Sequence, residues 1–148
     1  MRKRYSIFLE GTLAGGARSE TLTFAFDLRT LIPESCRGKH LMVYSSFDTD
    51  DCGTTTRAGL RISVNLPQTY NKSFPAIPSV VLGIAEPVFD DTNQTNMKYM
   101  YNENSCFIKM IEYPDVFPIQ VQVYSIENQN LPAESVRLNL TFEELEKY

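Results

Sequence analysis

Leu60-Arg61-Ile62-Ser63-Val64-Asn65-Leu66 alternates apolar and polar side chains without a break. A period of two sends one row of side chains into a core and the other to solvent, which is the pattern of a half-buried β-strand. A helix needs apolar spacings of three and four, and the segment lacks them. The same reading holds for Val136, Leu138, Leu140 and Phe142 against Arg137, Asn139 and Thr141. It holds again for Leu22, Phe24, Phe26 and Leu28, and for Ile119, Val121 and Val123 against Gln120 and Gln122. These four segments are expected to build the core.

Weaker alternation marks Tyr5 to Leu9, His40 to Phe47, Val80 to Ala85, Met97 to Tyr101 and Cys106 to Ile111, which makes nine candidate strands, one expected to be short or to merge with a neighbour. Between them stand Gly15-Gly16, Asp51-Cys52-Gly53 and all eight prolines, residues that end strands by removing a donor or permitting a turn. Residues 28–35 and 143–147 have room for a helical turn, and 11–19 and 48–57 read as long surface loops. Short strands separated by turn chemistry predict an all-β fold, an antiparallel β-sandwich of about eight strands. A jelly roll is the favoured form, as one domain over residues 1–148. Strand order stays open, because immunoglobulin-like and C2 sandwiches share the same alternation.

The formal charge of −4, from 18 acidic and 14 basic residues in 148, provides no broad positive field, so nucleic acid is not an expected partner. The apolar stretch after the basic start is only Ile7, Phe8 and Leu9, too short for a signal-peptide core, and no run approaches the roughly 20 apolar residues of a membrane span. A cytosolic origin and free thiols at Cys36, Cys52 and Cys106 are expected.

Chemistry has little to stand on. His40 is the only histidine, and it opens a candidate strand rather than a nucleophile–base pair. One histidine and three scattered cysteines do not make the usual four-ligand zinc site. Asp48, Asp50 and Asp51 in one loop and Asp90 and Asp91 in another are weak candidates for calcium, which takes six to eight oxygen ligands; they lack a regular ligand series. Gly15-Gly16 has neither the spacing nor the following helix of a phosphate loop. No catalytic residue and no cofactor is expected. Among the aromatics, Phe24, Phe26 and Phe142 fall on core faces, whereas Tyr70, Phe74, Phe89, Tyr99, Tyr101, Tyr113 and Phe117 fall in or near loops, where exposed rings serve interfaces. A carbohydrate- or ligand-binding sandwich, and a calcium-binding C2-like module, remain alternatives to an assembly protein.

Asn65-Leu66-Pro67-Gln68-Thr69-Tyr70-Asn71, Ile119 to Ile126, and Val136 to Phe142, in a chain of minimal sandwich size, resemble the small capsid proteins of large icosahedral double-stranded DNA viruses. The resemblance is to the penton and minor capsid proteins. It implies a bare jelly roll that forms a five-fold ring at a vertex, or a protein beneath the shell that joins capsomers. It implies other capsid proteins as partners, a homo-oligomer (a pentamer if a penton), and residence in a virion assembled in the host cytoplasm. The basic arm Arg2, Lys3 and Arg4 and the acidic end Glu143 to Glu146 are then candidates for binding a neighbour, together with Tyr70, Phe74, Phe89, Tyr113 and Phe117. The resemblance brings no catalytic or cofactor residue.

Overall fold

The computed structural model describes residues 3–27, 30–36, 38–52, 59–65, 79–89, 97–109, 118–127 and 129–145. They form eight strands: β1 (Arg4–Thr12), β2 (Ser19–Asp27), β3 (His40–Thr49), β4 (Leu60–Asn65), β5 (Ser79–Phe89), β6 (Met97–Lys109), β7 (Pro118–Ser125) and β8 (Ser135–Glu144). A 3-10 turn, Glu34–Cys36, precedes β3. All the pairings are antiparallel, and the strand order is β1-β8-β3-β6-β5-β4-β7-β2. Each strand thus reverses the direction of the one before it, which places four connections at one end of the sandwich and three, with both chain termini, at the other.

The order resolves into two sheets, β1-β8-β3-β6 and β2-β7-β4-β5, joined at one side by β5. Residues Ser79 to Ala85 of β5 pair with β4, and Glu86 to Phe89 pair with β6. The first strand lies beside the last and the second beside the seventh. That is the double Greek key of a jelly roll, and it excludes the immunoglobulin-like and C2 orders left open above. A bulge at Leu82, between the Ile62↔Gly83 and Ser63↔Val81 pairs, lies before the point where β5 leaves β4 for β6 of the first sheet, as bulges do at sandwich corners. Asn104 secures the bulge, its Nδ2 donating to the Leu82 carbonyl at 2.6 Å.

Leu9, Val43, Phe47, Leu138, Leu140 and Phe142 come into the core from one sheet, and Leu60, Ile62, Val64, Ile119, Val121 and Val123 from the other. The alternating segments around Leu60, Ile119 and Val136 are therefore core strands, as read from sequence. β2 is less deeply placed: Leu22 and Phe24 are only partly buried, because among the described residues β2 is an edge strand with β7 as its one partner. Leu28 lies outside the described residues, as do the side-chain surroundings of Phe26.

The merger allowed among the nine candidates is of Met97–Tyr101 with Cys106–Ile111, which β6 joins as one 13-residue strand to Lys109, residues 110 and 111 lying outside the described ones. The polar run Asn102-Glu103-Asn104-Ser105, which separates the two candidates in sequence, is exposed and sits at a register shift against β3, where neither side chain row has a core to fill. Several other expectations need correction. Tyr99, expected near a loop, is completely buried, and Tyr101 is partly buried in β6. The Tyr101 hydroxyl meets Ser45 Oγ at 2.9 Å, and burial pushes its pKa up to about 12. The helical turn expected at 143–147 is absent at its start: Glu143 and Glu144 continue β8, paired with Arg4 of β1 and Leu41 of β3. In the 28–35 stretch the expected helical turn is present in 3-10 form, at Thr30 and at Glu34–Cys36, while residues 28 and 29 lie outside the described ones.

Residues 11–19 are not a free surface loop either. β1 extends to Thr12, Leu13 is buried, and the connection is stitched to the one between β7 and β8. Leu13 N donates to Glu134 O at 2.8 Å, Gly16 N to Leu131 O at 3.3 Å, and Leu131 N to Ala17 O at 2.7 Å. Glu20 accepts from the Ala14 amide with both carboxylate oxygens, each at 3.0 Å. On the 48–57 side, β3 extends to Thr49, whose buried hydroxyl accepts from Tyr99 N at 3.1 Å and donates to Asp50 O at 2.9 Å; residues 53–58 lie outside the described ones.

Candidate assembly surface

The outer face of the β1-β8-β3-β6 sheet is polar and knitted by side chains. Its rows follow from the register: Arg4, Glu143 and Met42; Ser6, Thr141 and Tyr44; Phe8, Asn139 and Ser46; Glu10, Arg137 and Asp48. Ser6 Oγ and Thr141 Oγ1 lie 2.9 Å apart, and Asn139 Nδ2 donates to Ser46 Oγ at 3.2 Å. Phe8, 50% exposed in the middle of this face, is the one large ring of β1 turned to solvent.

The acidic loop candidates meet a cation already present in the chain. Arg137 Nε and Nη2 donate to the two oxygens of Asp48 at 2.9 and 3.1 Å, and Nη1 donates to Asp50 at 2.7 Å. These charged hydrogen bonds hold the guanidinium protonated far above any working pH. The geometry is a fork-to-fork carboxylate pair with a second acid alongside. Asp90 and Asp91 lie outside the described residues. Among the described residues no group of three or more His, Cys, Asp or Glu side chains is placed to hold a metal ion.

At the opposite end the chain termini meet each other. Arg4 Nε lies 2.8 Å from Glu143 Oε2, with the Glu143 side chain only 3% exposed. Glu144, the next residue, points to the other side of the sheet, where Lys39 Nζ donates to Oε1 and the Tyr5 hydroxyl to Oε2, both at 2.8 Å. The Lys39 bond outweighs the cost of burial and holds the Glu144 carboxyl below its usual range. Burial chiefly, with Glu144 next to it, raises the Tyr5 hydroxyl and the Cys36 thiol. Lys3 is exposed, as is Arg4, so the arm carries its charge at this end while Arg4 has a partner within its own chain. Arg2, Tyr70, Phe74, Tyr113 and Phe117 lie outside the described residues. The strand ends that flank 66–78 and 110–117 emerge at the same end as the arm, whereas Phe89 is at the other end, partly buried against the core.

The Glu144 cluster has a pH signature. A carboxyl whose folded pKa is depressed binds its proton more readily in the unfolded chain, so it contributes stability fully above the unfolded value, about 4.3, and loses it as pH falls through the folded value. Replacing Glu144 with Gln is expected to cost about 1 kcal/mol at pH 7, the scale of a half-exposed ion pair with an added hydrogen bond. The difference from the unaltered protein should start to shrink below about pH 4.3 and close only as pH falls through the lower folded value; urea midpoints measured from pH 3 to 7 would show a constant offset if Glu144 carried no such linkage.

The outer face of the second sheet has a different chemistry. The Tyr124 ring lies between two guanidinium groups, Arg61 at 4.8 Å and Arg18 at 5.0 Å from its centroid. Arg61 Nε is shielded from solvent with no hydrogen-bond partner, so the ring face is its main polar contact. Beside it Ile84, Val81 and Ile126 are exposed. The sequence pattern marked none of these positions, since an Arg–Tyr–Arg stack depends on which strands become neighbours.

Among the described residues no helix is long and apolar enough to cross a membrane. No protein-family model matches the chain, and no curated protein matches it. Solved structures similar to it include the virus-like particle of the extra small virus of the giant freshwater prawn Macrobrachium rosenbergii, at 11% identity and TM-score 0.30, covering 99% of this chain and 81% of that one. A decameric BFDV capsid protein is similar at 8% identity and TM-score 0.30, covering 99% of each chain. The VP2 subviral particle of infectious bursal disease virus is similar at 10% identity and TM-score 0.23, covering 99% of this chain and 42% of that one. At these scores the likenesses carry no argument about this chain.

Proposed function

We propose that this chain is a structural capsid protein that works by packing against copies of itself and against other shell proteins. Within that class we propose the penton of a large icosahedral double-stranded DNA virus, or a minor capsid protein that joins capsomers. What supports the reading is the strand order β1-β8-β3-β6 over β2-β7-β4-β5, the double Greek key that capsid domains share with lectins and cupins. A cupin-type centre needs ligands converging inside the sandwich. The interior of the described strands is filled instead with Leu, Ile, Val and Phe side chains.

A penton closes a ring through one surface meeting a different surface of the next copy. The two sheets offer such unlike faces, one with the Arg18–Tyr124–Arg61 stack and exposed Ile84, the other with Glu10 and the Asp48–Arg137–Asp50 cluster. The test is the mass distribution of the purified protein, by mass photometry and electron microscopy, alone and with the shell proteins of its particle. Rings of five, or stoichiometric binding to a larger shell protein, are the expected results. A strictly monomeric species over a wide concentration range, silent toward every shell component, overturns the reading.

A further inference from the structure

The described strands form a sheet with two ends, and the ends differ. β2 is broken by a register shift between Phe24 and Asp27, the kind of irregularity that blunts an edge. β1 has nothing of the kind: nine residues pair with β8 in one unbroken register and contain no proline.

The direction of its backbone groups follows from two bonds. Glu144 N donates to Lys3 O at 3.0 Å, and Leu13 N donates to Glu134 O at 2.8 Å. Both belong to the same register, so the odd-numbered residues of β1 exchange bonds with β8. In an antiparallel ladder the alternate residues face the other way. The N–H and C=O groups of Arg4, Ser6, Phe8, Glu10 and Thr12 therefore point outward, and among the described residues no strand pairs with them.

We propose that this edge is a two-fold contact, in which β1 of a second copy of the chain adds antiparallel with Ile7 on the dyad. The register is chosen by charge. With Ile7 opposite Ile7, Arg4 of each copy stands opposite Glu10 of the other, and Ser6 stands opposite Phe8. These are pairs of outward-facing residues, so all four exchange backbone bonds, and the salt-bridging pair forms twice.

Both charges are available on the outer face. Arg4 is 65% exposed, with its Nε on Glu143 and its guanidinium 5.9 Å from the Tyr44 ring centroid, and it turns from there toward the edge to meet Glu10 of the second copy. Glu10 is exposed, and Arg137, its neighbour on β8, is committed to Asp48 and Asp50. Phe8 gains a second benefit, since it and its symmetry mate become diagonal neighbours on one face, about 7–8 Å apart and within reach of aromatic rings.

An isologous contact joins copies in pairs and differs from the head-to-tail contact that closes a ring. The inference rests on the assembly reading only in requiring that copies associate. Residue-resolved hydrogen exchange of the full chain, measured at low and high concentration, tests it alongside mass photometry. Tyr5, Ile7 and Leu9 amides, bonded to β8, should be protected at every concentration. Ser6, Phe8 and Glu10 amides should become protected only as a species of twice the chain mass appears.

E10K, which sets like charge against Arg4 of the second copy at both ends of the contact, should weaken pairing by about tenfold or more. It should remove the protection at Ser6 and Phe8 while leaving Tyr5, Ile7 and Leu9 unchanged. S6P removes an outward amide without touching a β1–β8 bond and should do the same to Phe8 and Glu10. Rings or shells that leave Ser6, Phe8 and Glu10 unprotected overturn this inference and leave the assembly reading standing, as does protection that survives E10K. A monomer at all concentrations overturns both.

Discussion

Replacing Phe142 with Ala is expected to destabilise the protein by about 3–5 kcal/mol, the range for removing a fully buried ring from a packed interior. Phe142 is 0% exposed and sits on β8, which has β1 on one side and β3 on the other. Its register partners are Tyr5 and Val43. The cavity would open between strands that cannot close on it, because each is held by its own ladder bonds. At roughly 2–4 °C per kcal/mol for a chain of this size, the melting temperature should fall by about 10 °C. Phe8, on β1 in the same sheet, is the control: half exposed on the outer face, its truncation should change the stability of the separate chain by about 0.5 kcal/mol. Urea denaturation of both variants checks the pair, and comparable losses at the two positions would mean that the inner and outer rows have been exchanged.

Phe142 also shows what a single sequence makes legible. Val136, Leu138, Leu140 and Phe142 alternate without interruption, and the inward row is the one the structure buries. Period-two patterning depends only on neighbours along the chain, and so it survives being read without a fold. Pairing does not: β1 meets β8 across most of the length of the chain, and nothing in Tyr5 to Leu9 names that partner. The order that distinguishes a jelly roll from other sandwiches was therefore out of reach.

Where a strand carried polar residues on both rows, as at Asn102 to Ser105 of β6, alternation failed and one strand read as two. Glu143 and Glu144 read as part of an acidic end open to a neighbour because their partners, Arg4, Lys39 and Tyr5, are brought to them by the fold. The candidate site divides in the same way. Asp48 and Asp50 stood out as acids, but Arg137, which holds them, comes from a strand 87 or more residues away. The basic arm was visible at Arg4, but the role proposed for β1 lies in an edge that no described strand pairs with, a property of what stands beside a strand rather than of its composition.

The adjacent glycines of the β1–β2 connection carry the second large effect. Both adopt left-handed backbone, φ +76° at Gly15 and +79° at Gly16, so alanine at either site pays about 1–2 kcal/mol for that conformation. Their surroundings differ. A Cβ on Gly16 would meet nothing within 4 Å, whereas one on Gly15 would come within 2.8 Å of Ala133 N and 3.1 Å of its Cα. Those are backbone atoms, and they cannot swing aside as a side chain would. Ala133 lies between Leu131 and Glu134, each hydrogen-bonded to the β1–β2 connection, so relieving the contact means parting the two connections and uncovering Leu13 and Leu131, both buried. Gly15→Ala should therefore cost about 3 kcal/mol or more, with overpacking added to the backbone term, against about 1–2 kcal/mol for Gly16→Ala. Denaturant midpoints of the two variants measure the difference directly. Equal losses would mean that the connections are not locked together, and that the loops at this end can move independently of the sandwich beneath them.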